Sequence, residues 1–177
     1  MKITKLPYLF FLFILLVFFY LLIIDRNPSK IPSALLNKDV PFFETESLLK
    51  NEKFISSEIF DNQIIIVNFF ATWCKPCRDE HIFINRFANE KNLKVVGINY
   101  KDNPKLAIEW LKNLGNPYSN IALDRNGKIA IDWGVYGIPE TFLVNSKGVI
   151  RHRHVGQITK KVYKELNLII NDKIKYE

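Results

Sequence analysis

Cys74 and Cys77 are the two cysteines of this chain, separated by Lys75 and Pro76. The residues before them, Ile64 to Phe70, are β-branched or aromatic apart from Asn68 and read as a buried strand. Ala71, Thr72 and Trp73 follow. From Lys75 onward Ile82, Phe83, Arg86, Phe87 and Glu90 recur at helical steps. Cys74 therefore stands at a helix start, where unpaired backbone N–H groups and the helix dipole favour an anion. A thiolate is favoured there, and the thiolate is the reactive species. Cys77, three residues on, lies on the same face within reach of the first sulfur. Pro76 falls in the first turn, where a missing N–H costs little. The arrangement suits one disulfide that forms and breaks repeatedly.

A structural zinc site is the alternative for a Cys-x-x-Cys. Its other ligands would have to come from His81, His152 and His154. Zinc cysteine pairs usually sit in turns and recur, whereas this pair follows a strand and is single, so the expected metal set is none.

The elements around the motif can be read in order. With 177 residues the chain suits one domain of ordinary size. Leu6 to Ile24 carries no charge and would span roughly 28 Å as a helix. It ends in Asp25-Arg26-Asn27-Pro28 rather than at small residues of a cleavage site, so an uncleaved anchor over residues 1–24 is expected. Lys2 and Lys5 place its start in the cytoplasm under the positive-inside rule, with the cysteines on the other side. Residues 25–37, with Pro28 and Pro32, read as a tether, and 38–177 as the folded domain.

Val40–Phe43 and Lys53–Ile55 read as a strand-and-loop preamble. A second central strand is expected over Leu93–Tyr100, and a helix from Pro104 to Leu114. A strand at Asn120–Leu123, a short helix near Lys128–Trp133 and a hairpin of Glu140–Val144 with Val149–Val155 follow. A last helix runs from Lys160 to about Asn171, capped by Thr159. This succession around a strand–Cys-x-x-Cys–helix unit describes an α/β, thioredoxin-like fold with a central mixed sheet flanked by helices. The net charge of +7 is spread over scattered lysines, concentrated only from Arg151 to Lys161, and reads as solvated surface. No phosphate loop, dinucleotide fingerprint or basic-aromatic stripe is present, so nucleotide and nucleic-acid roles lack support.

Gly134-Val-Tyr-Gly-Ile-Pro139-Glu140-Thr141-Phe142 is the second informative stretch. Beside the cysteine motif it resembles the cis-proline loop that faces the two sulfurs in thioredoxin-like proteins, where a backbone edge can pair with a substrate strand. Together with Ala71-Thr-Trp-Cys, Cys77-Arg-Asp-Glu-His81, Val95 to Asp102 and Trp110 to Pro117, it resembles one branch, the DsbE (CcmG) family of thiol:disulfide interchange proteins of cytochrome c maturation. Asn37 stands where that family's linker is expected to have a glycine.

The resemblance implies a periplasmic domain held by a single-pass anchor in a bacterial inner membrane. It implies reduction of disulfides of apocytochrome c, or of a thiol partner of the maturation system, with electrons from a transmembrane thiol reductase. The only redox group would be the Cys74–Cys77 disulfide, with no further cofactor. Cys74 would attack and Cys77 resolve. Many thioredoxins carry a buried Asp six residues before the first cysteine; here that position is Asn68, and Glu80 is the candidate base in its place. Glu80 would also oppose the dipole and raise thiol pKa values. An ordinary helix-surface glutamate is its bland alternative.

Trp73, Tyr136, Pro139, Glu140 and Thr141 are the expected substrate contacts, with Glu140 adding acidic character or selecting substrate. Asp79 and the three histidines are expected to be surface or strand residues without catalytic duty. A general extracytoplasmic thiol reductase or oxidant, and an apocytochrome-binding platform with redox secondary, remain the competing functions.

Overall fold

The computed structural model describes residues 6–23, 35–50, 52–56, 63–91 and 93–171. The chain divides into two compact units, Met1–Lys30 and Ile31–Glu177. The first contains helix α1 (Leu6–Ile23), whose side chains from Pro7 to Leu22 are exposed. Among the described residues no helix is long and apolar enough to cross a membrane. At 18 residues α1 is about 27 Å long, just short of the ~30 Å hydrocarbon layer.

The second unit opens with a short antiparallel pair, β1 (Glu44–Glu46) and β2 (Lys53–Ile55). The first strand thus follows the expected Val40–Phe43 segment rather than coinciding with it. Next come β3 (Ile65–Phe70), α2 (Lys75–Asn89), β4 (Lys94–Tyr100), α3 (Pro104–Leu114), β5 (Asn120–Asp124) and α4 (Lys128–Asp132). The antiparallel strands β6 (Glu140–Val144) and β7 (Ile150–Val155), then α5 (Lys160–Ile169), complete the order. Five strands form one mixed sheet in the order β5-β4-β3-β6-β7, with β3, β4 and β5 parallel and β6 and β7 antiparallel.

Because β3 lies at the centre and is buried along its whole length, its alternate residues enter two cores. Ile66 and Phe70 join Cys74, Cys77, Ile84, Phe87, Trp110, Tyr118 and Leu166 on the face covered by α2, α3 and α5. Ile65, Val67 and Phe69 join Phe43, Phe54, Ile129, Trp133, Phe142 and Ile150 on the other. The helix ends follow from local chemistry. Asn103 accepts from Lys105 N–H before Pro104, and Thr159 accepts from Val162 N–H at the start of α5.

Both outer strands are met by chain from the domain's first residues. Asp39 bridges Val149, and Asn37 N–H donates to Ile150 O (2.8 Å). On the far edge Ser47 bridges Ala122, and Thr45 Oγ1 donates to Leu123 O (2.6 Å). Of the expected tether, residues 25–34 lie outside the described residues, while Leu35–Asn37 form a turn fixed to the β7 edge. Asn37 takes a φ of 64° there. The turn requires the left-handed conformation that suits glycine, and Asn is among the residues that tolerate it best.

Candidate active site

The cysteines stand where β3 ends and α2 begins. Cys74 is the N-cap of α2, Pro76 lies in its first turn, and the Cys77 N–H points at Cys74 Sγ (3.2 Å). The two sulfurs form a disulfide. Cys74 and Cys77 are 5% and 2% exposed, so the pair is covered except at its outer rim. The segment entering the helix is gripped from the loop after β4. Asp102 accepts from Thr72 N–H and from Thr72 Oγ1, both at 2.7 Å, and from Asn99 Nδ2 at 2.9 Å. Trp73 is 59% exposed with its indole N–H on Lys101 O (3.2 Å), so it forms surface beside the sulfurs rather than core.

Opposite this helix start the Ile138–Pro139 peptide bond is cis, and Ile138 O lies 3.7 Å from Cys74 Sγ. Pro139 is itself buried, whereas Tyr136 (75% exposed) and Gly137 just before it are open to solvent. A backbone edge is thereby presented next to the disulfide.

Glu80, one helical turn beyond Cys77, is 1% exposed. That removes the reading of an ordinary surface glutamate. Its Oε1 accepts from Asn68 Nδ2 (2.9 Å) and its Oε2 from Ile158 N–H (2.8 Å). No cation pairs with it among the described residues. Burial in an apolar surround pushes its pKa up to about 7, with the bonds from Ile158 and Asn68 pulling the other way. Such a carboxyl can accept or release a proton at neutral pH.

Asn68, in a strand otherwise apolar, also donates to Thr141 Oγ1 (3.1 Å) and accepts from the Tyr118 hydroxyl (2.9 Å). Burial, with the Glu80 charge nearby, holds the Tyr118 hydroxyl well above its usual range. The presence of a buried amide in an apolar strand was itself a signal that polar partners must lie across from it. Their identity was not readable, since Tyr118 is far along the chain.

Two expected substrate contacts are corrected. Glu140 and Thr141 are fully buried, so neither side chain can touch a substrate. Thr141 faces the Asn68 side of the sheet. Glu140 alternates to the other face, with Phe142 and Val144, and so adds no acidic character beside the sulfurs. Its carboxylate takes both ends of the Arg153 guanidinium, Nε at 2.7 Å and Nη2 at 3.0 Å, and the Tyr136 N–H at 3.0 Å. Arg153 also donates to Gly134 O (2.9 Å) and lies 5.0 Å from the Tyr136 ring centroid. The pair therefore fixes the loop that carries Tyr136 and Ile138.

A third correction concerns His81. It is buried rather than at the surface, with Nε2 2.9 Å from Gly115 O and its ring edge-on to Trp110 at 4.3 Å. Burial lowers its pKa and keeps the ring neutral. Asp79 is exposed and pairs with Lys75. Among the described residues no group of three His, Cys, Asp or Glu side chains is placed to hold a metal ion.

Comparison with known proteins agrees with this geometry. The Redoxin family profile matches residues 35–167. A thiol:disulfide interchange protein DsbE from Yersinia pestis is 43% identical over 160 residues, 87% of this chain and 85% of its own. The DsbE of Escherichia coli K12 is 42% identical over 140 residues, 78% and 75% of the two chains. The chain belongs to the DsbE family of Redoxin proteins. Its activity is thiol–disulfide exchange, and Cys74 and Cys77 are the cysteines it has for that chemistry. Among solved structures, a secreted thiol-disulfide isomerase from Corynebacterium glutamicum superposes with a TM-score of 0.65 at 22% identity, over 76% of this chain and 86% of that one. A DsbF homologue from Corynebacterium diphtheriae gives 0.66 at 21% identity, over 83% and 94%. These two share the fold, and the sequence relatives carry the family.

Proposed function

We propose that this DsbE-family chain is a membrane-anchored periplasmic reductase that keeps the haem-site cysteines of apocytochrome c, or of a maturation partner, as thiols. The observation that carries the reading is Glu80: a buried carboxyl without a cation, one turn behind Cys77, able to exchange a proton near neutral pH. In the reduced protein Cys74 thiolate, favoured at the α2 N-terminus, attacks a substrate disulfide. One substrate sulfur leaves as thiolate, and a mixed disulfide forms on Cys74. Glu80 takes the Cys77 proton, and Cys77 then attacks Cys74 Sγ. The second substrate sulfur leaves, so two electrons pass to the substrate and Cys74–Cys77 becomes a disulfide. A transmembrane thiol protein returns the protein to its dithiol form.

Trp73, Tyr136 and the Ile138–Pro139 backbone are the surface a substrate strand meets, by strand addition beside the sulfurs. Helix α1, apolar on every face, fits a lipid environment better than water and supports an anchor. The folded domain would then begin by Leu35, whose turn already meets the β7 edge, with the cysteines on the periplasmic side.

The test is redox titration of the full chain in detergent, in glutathione or dithiothreitol buffers with thiol trapping. A Cys74–Cys77 midpoint at or below about −200 mV is expected for a reductase, whereas one near the ~−120 mV of a strong oxidant would reverse the proposed direction.

A further inference from the structure

We propose that Tyr118 is a positioning residue for Glu80, acting through the Asn68 amide. The inference rests on the reading of Glu80 as the base for Cys77, but its own test does not depend on that reading.

Three buried groups stand in a chain whose hydrogen-bond polarity can be worked out. Asn68 Oδ1 can only accept, so the Tyr118 hydroxyl 2.9 Å away must donate. With Oδ1 so engaged, the amide nitrogen is turned the other way. Its two protons go to Glu80 Oε1 at 2.9 Å and Thr141 Oγ1 at 3.1 Å. The amide is thus held as a donor to the carboxyl, and a donor favours the ionised form.

Were the amide to turn over, Oδ1 would face Glu80 and could bond only to the protonated acid. The bond donated by the tyrosine hydroxyl therefore favours the amide orientation that supports ionised Glu80. The hydroxyl is suited to that part, because the same burial that raises its pKa keeps the proton on its oxygen, available to donate.

The ring is placed by packing independent of the hydroxyl. It stacks on Phe70 at 4.7 Å with 13° between planes. It also lies over Gly97, where a Cβ would come within 3.0 Å of Tyr118 Cδ1 and 2.9 Å of Phe70 Cε1. Gly97 is the space that lets this ring reach the middle of the sheet. Tyr118→Phe consequently removes the donor and leaves the packing.

The experiment follows the Glu80 carboxyl by 13C NMR in the full oxidised chain in detergent, with glutamate labelling and Glu80→Gln for assignment. Tyr118→Phe should move the Glu80 inflection upward by about half a unit or more, a roughly threefold change in proton affinity. Thr141→Val, which removes the other acceptor of the same amide, should move it in the same direction by less, and serves if Tyr118→Phe does not fold. An unchanged Glu80 inflection in either folded variant overturns the proposal.

Exchange rates measured against pH on the same proteins give a separate answer. If Glu80→Gln leaves the pH profile of the resolving step unaltered, the base assignment fails. The NMR shift would still decide the role of Tyr118.

Discussion

Glu80 and Glu140 are both shut away from solvent, one on each face of the same sheet, and their surroundings differ in a single respect. Glu140 has a guanidinium across from it, with Arg153 closing on both carboxylate oxygens. Glu80 has two N–H donors and no cation among the described residues. Neutral donors offset part of the cost of burying a carboxylate, whereas a bidentate cation offsets most of it. The first arrangement leaves a group that exchanges a proton near pH 7. The second leaves a fixed fastening, spent on the loop that carries Tyr136 and the cis proline. What stands opposite the same residue type leaves it titratable near neutral pH in one place and fixed as a fastening in the other.

Arg153→Met would break the contrast most severely, by giving Glu140 a burial without its cation. A loss of about 3–5 kcal/mol is expected in urea unfolding, as for removing one partner of a buried pair. The double variant with Glu140→Gln should recover much of that loss. A single-variant loss below about 1 kcal/mol would mean that the pair does not hold the loop.

Glu80→Gln should show its effect in how stability varies with pH. The folded-state pKa, about 7, lies above the ordinary value of 4.5, so the native chain binds more protons than the unfolded one between them. The stabilising share of protonated Glu80 is fully present below about pH 4.5 and is lost as pH rises through about 7. The variant should therefore gain on the wild type across that window, by up to roughly 3 kcal/mol, and then run parallel to it. Parallel curves throughout would place Glu80 among ordinary carboxylates.

The smallest change in stability is expected for Tyr136→Ala, at an exposed side chain resting over Arg153. It should cost under about 1 kcal/mol and raise KM for a disulfide peptide several-fold. The pH profile of exchange should stay as it was. A shifted profile would join the two carboxylates that the sheet keeps apart.

Much of this was legible in the residue order. The strand before Cys74, the helix after it and the caps at Asn103 and Thr159 are signalled within a few residues. So is the hairpin of β6 and β7, and their boundaries moved by only one or two positions. What local pattern could not supply was the set of contacts made across the sheet. Ile158, whose N–H meets Glu80, and Tyr118, whose hydroxyl meets Asn68, are brought there by tertiary packing that leaves no spacing to read. The expectation for Glu140 fails for a subtler reason. Its neighbour in sequence, Pro139, borders the sulfurs, but strand alternation turns its side chain to the opposite face. Arg153 was within reach of inference, since it sits diagonally across the expected hairpin from Glu140.

The residues that meet the two outer strands have a further consequence. On the function proposed above, a partner with an extended backbone could add to any open sheet border. Here Ser47 and Thr45 occupy one border, and Asn37 with Asp39 part of the other. Beyond them the second border carries Arg151, His152 and His154, charged or polar groups that discourage pairing. Under that proposal, backbone recognition is steered away from the flanks of the sheet and toward the short edge before Pro139. A strand captured there would arrive beside the disulfide rather than along an inert side, and selectivity for place would precede any reading of the partner's side chains.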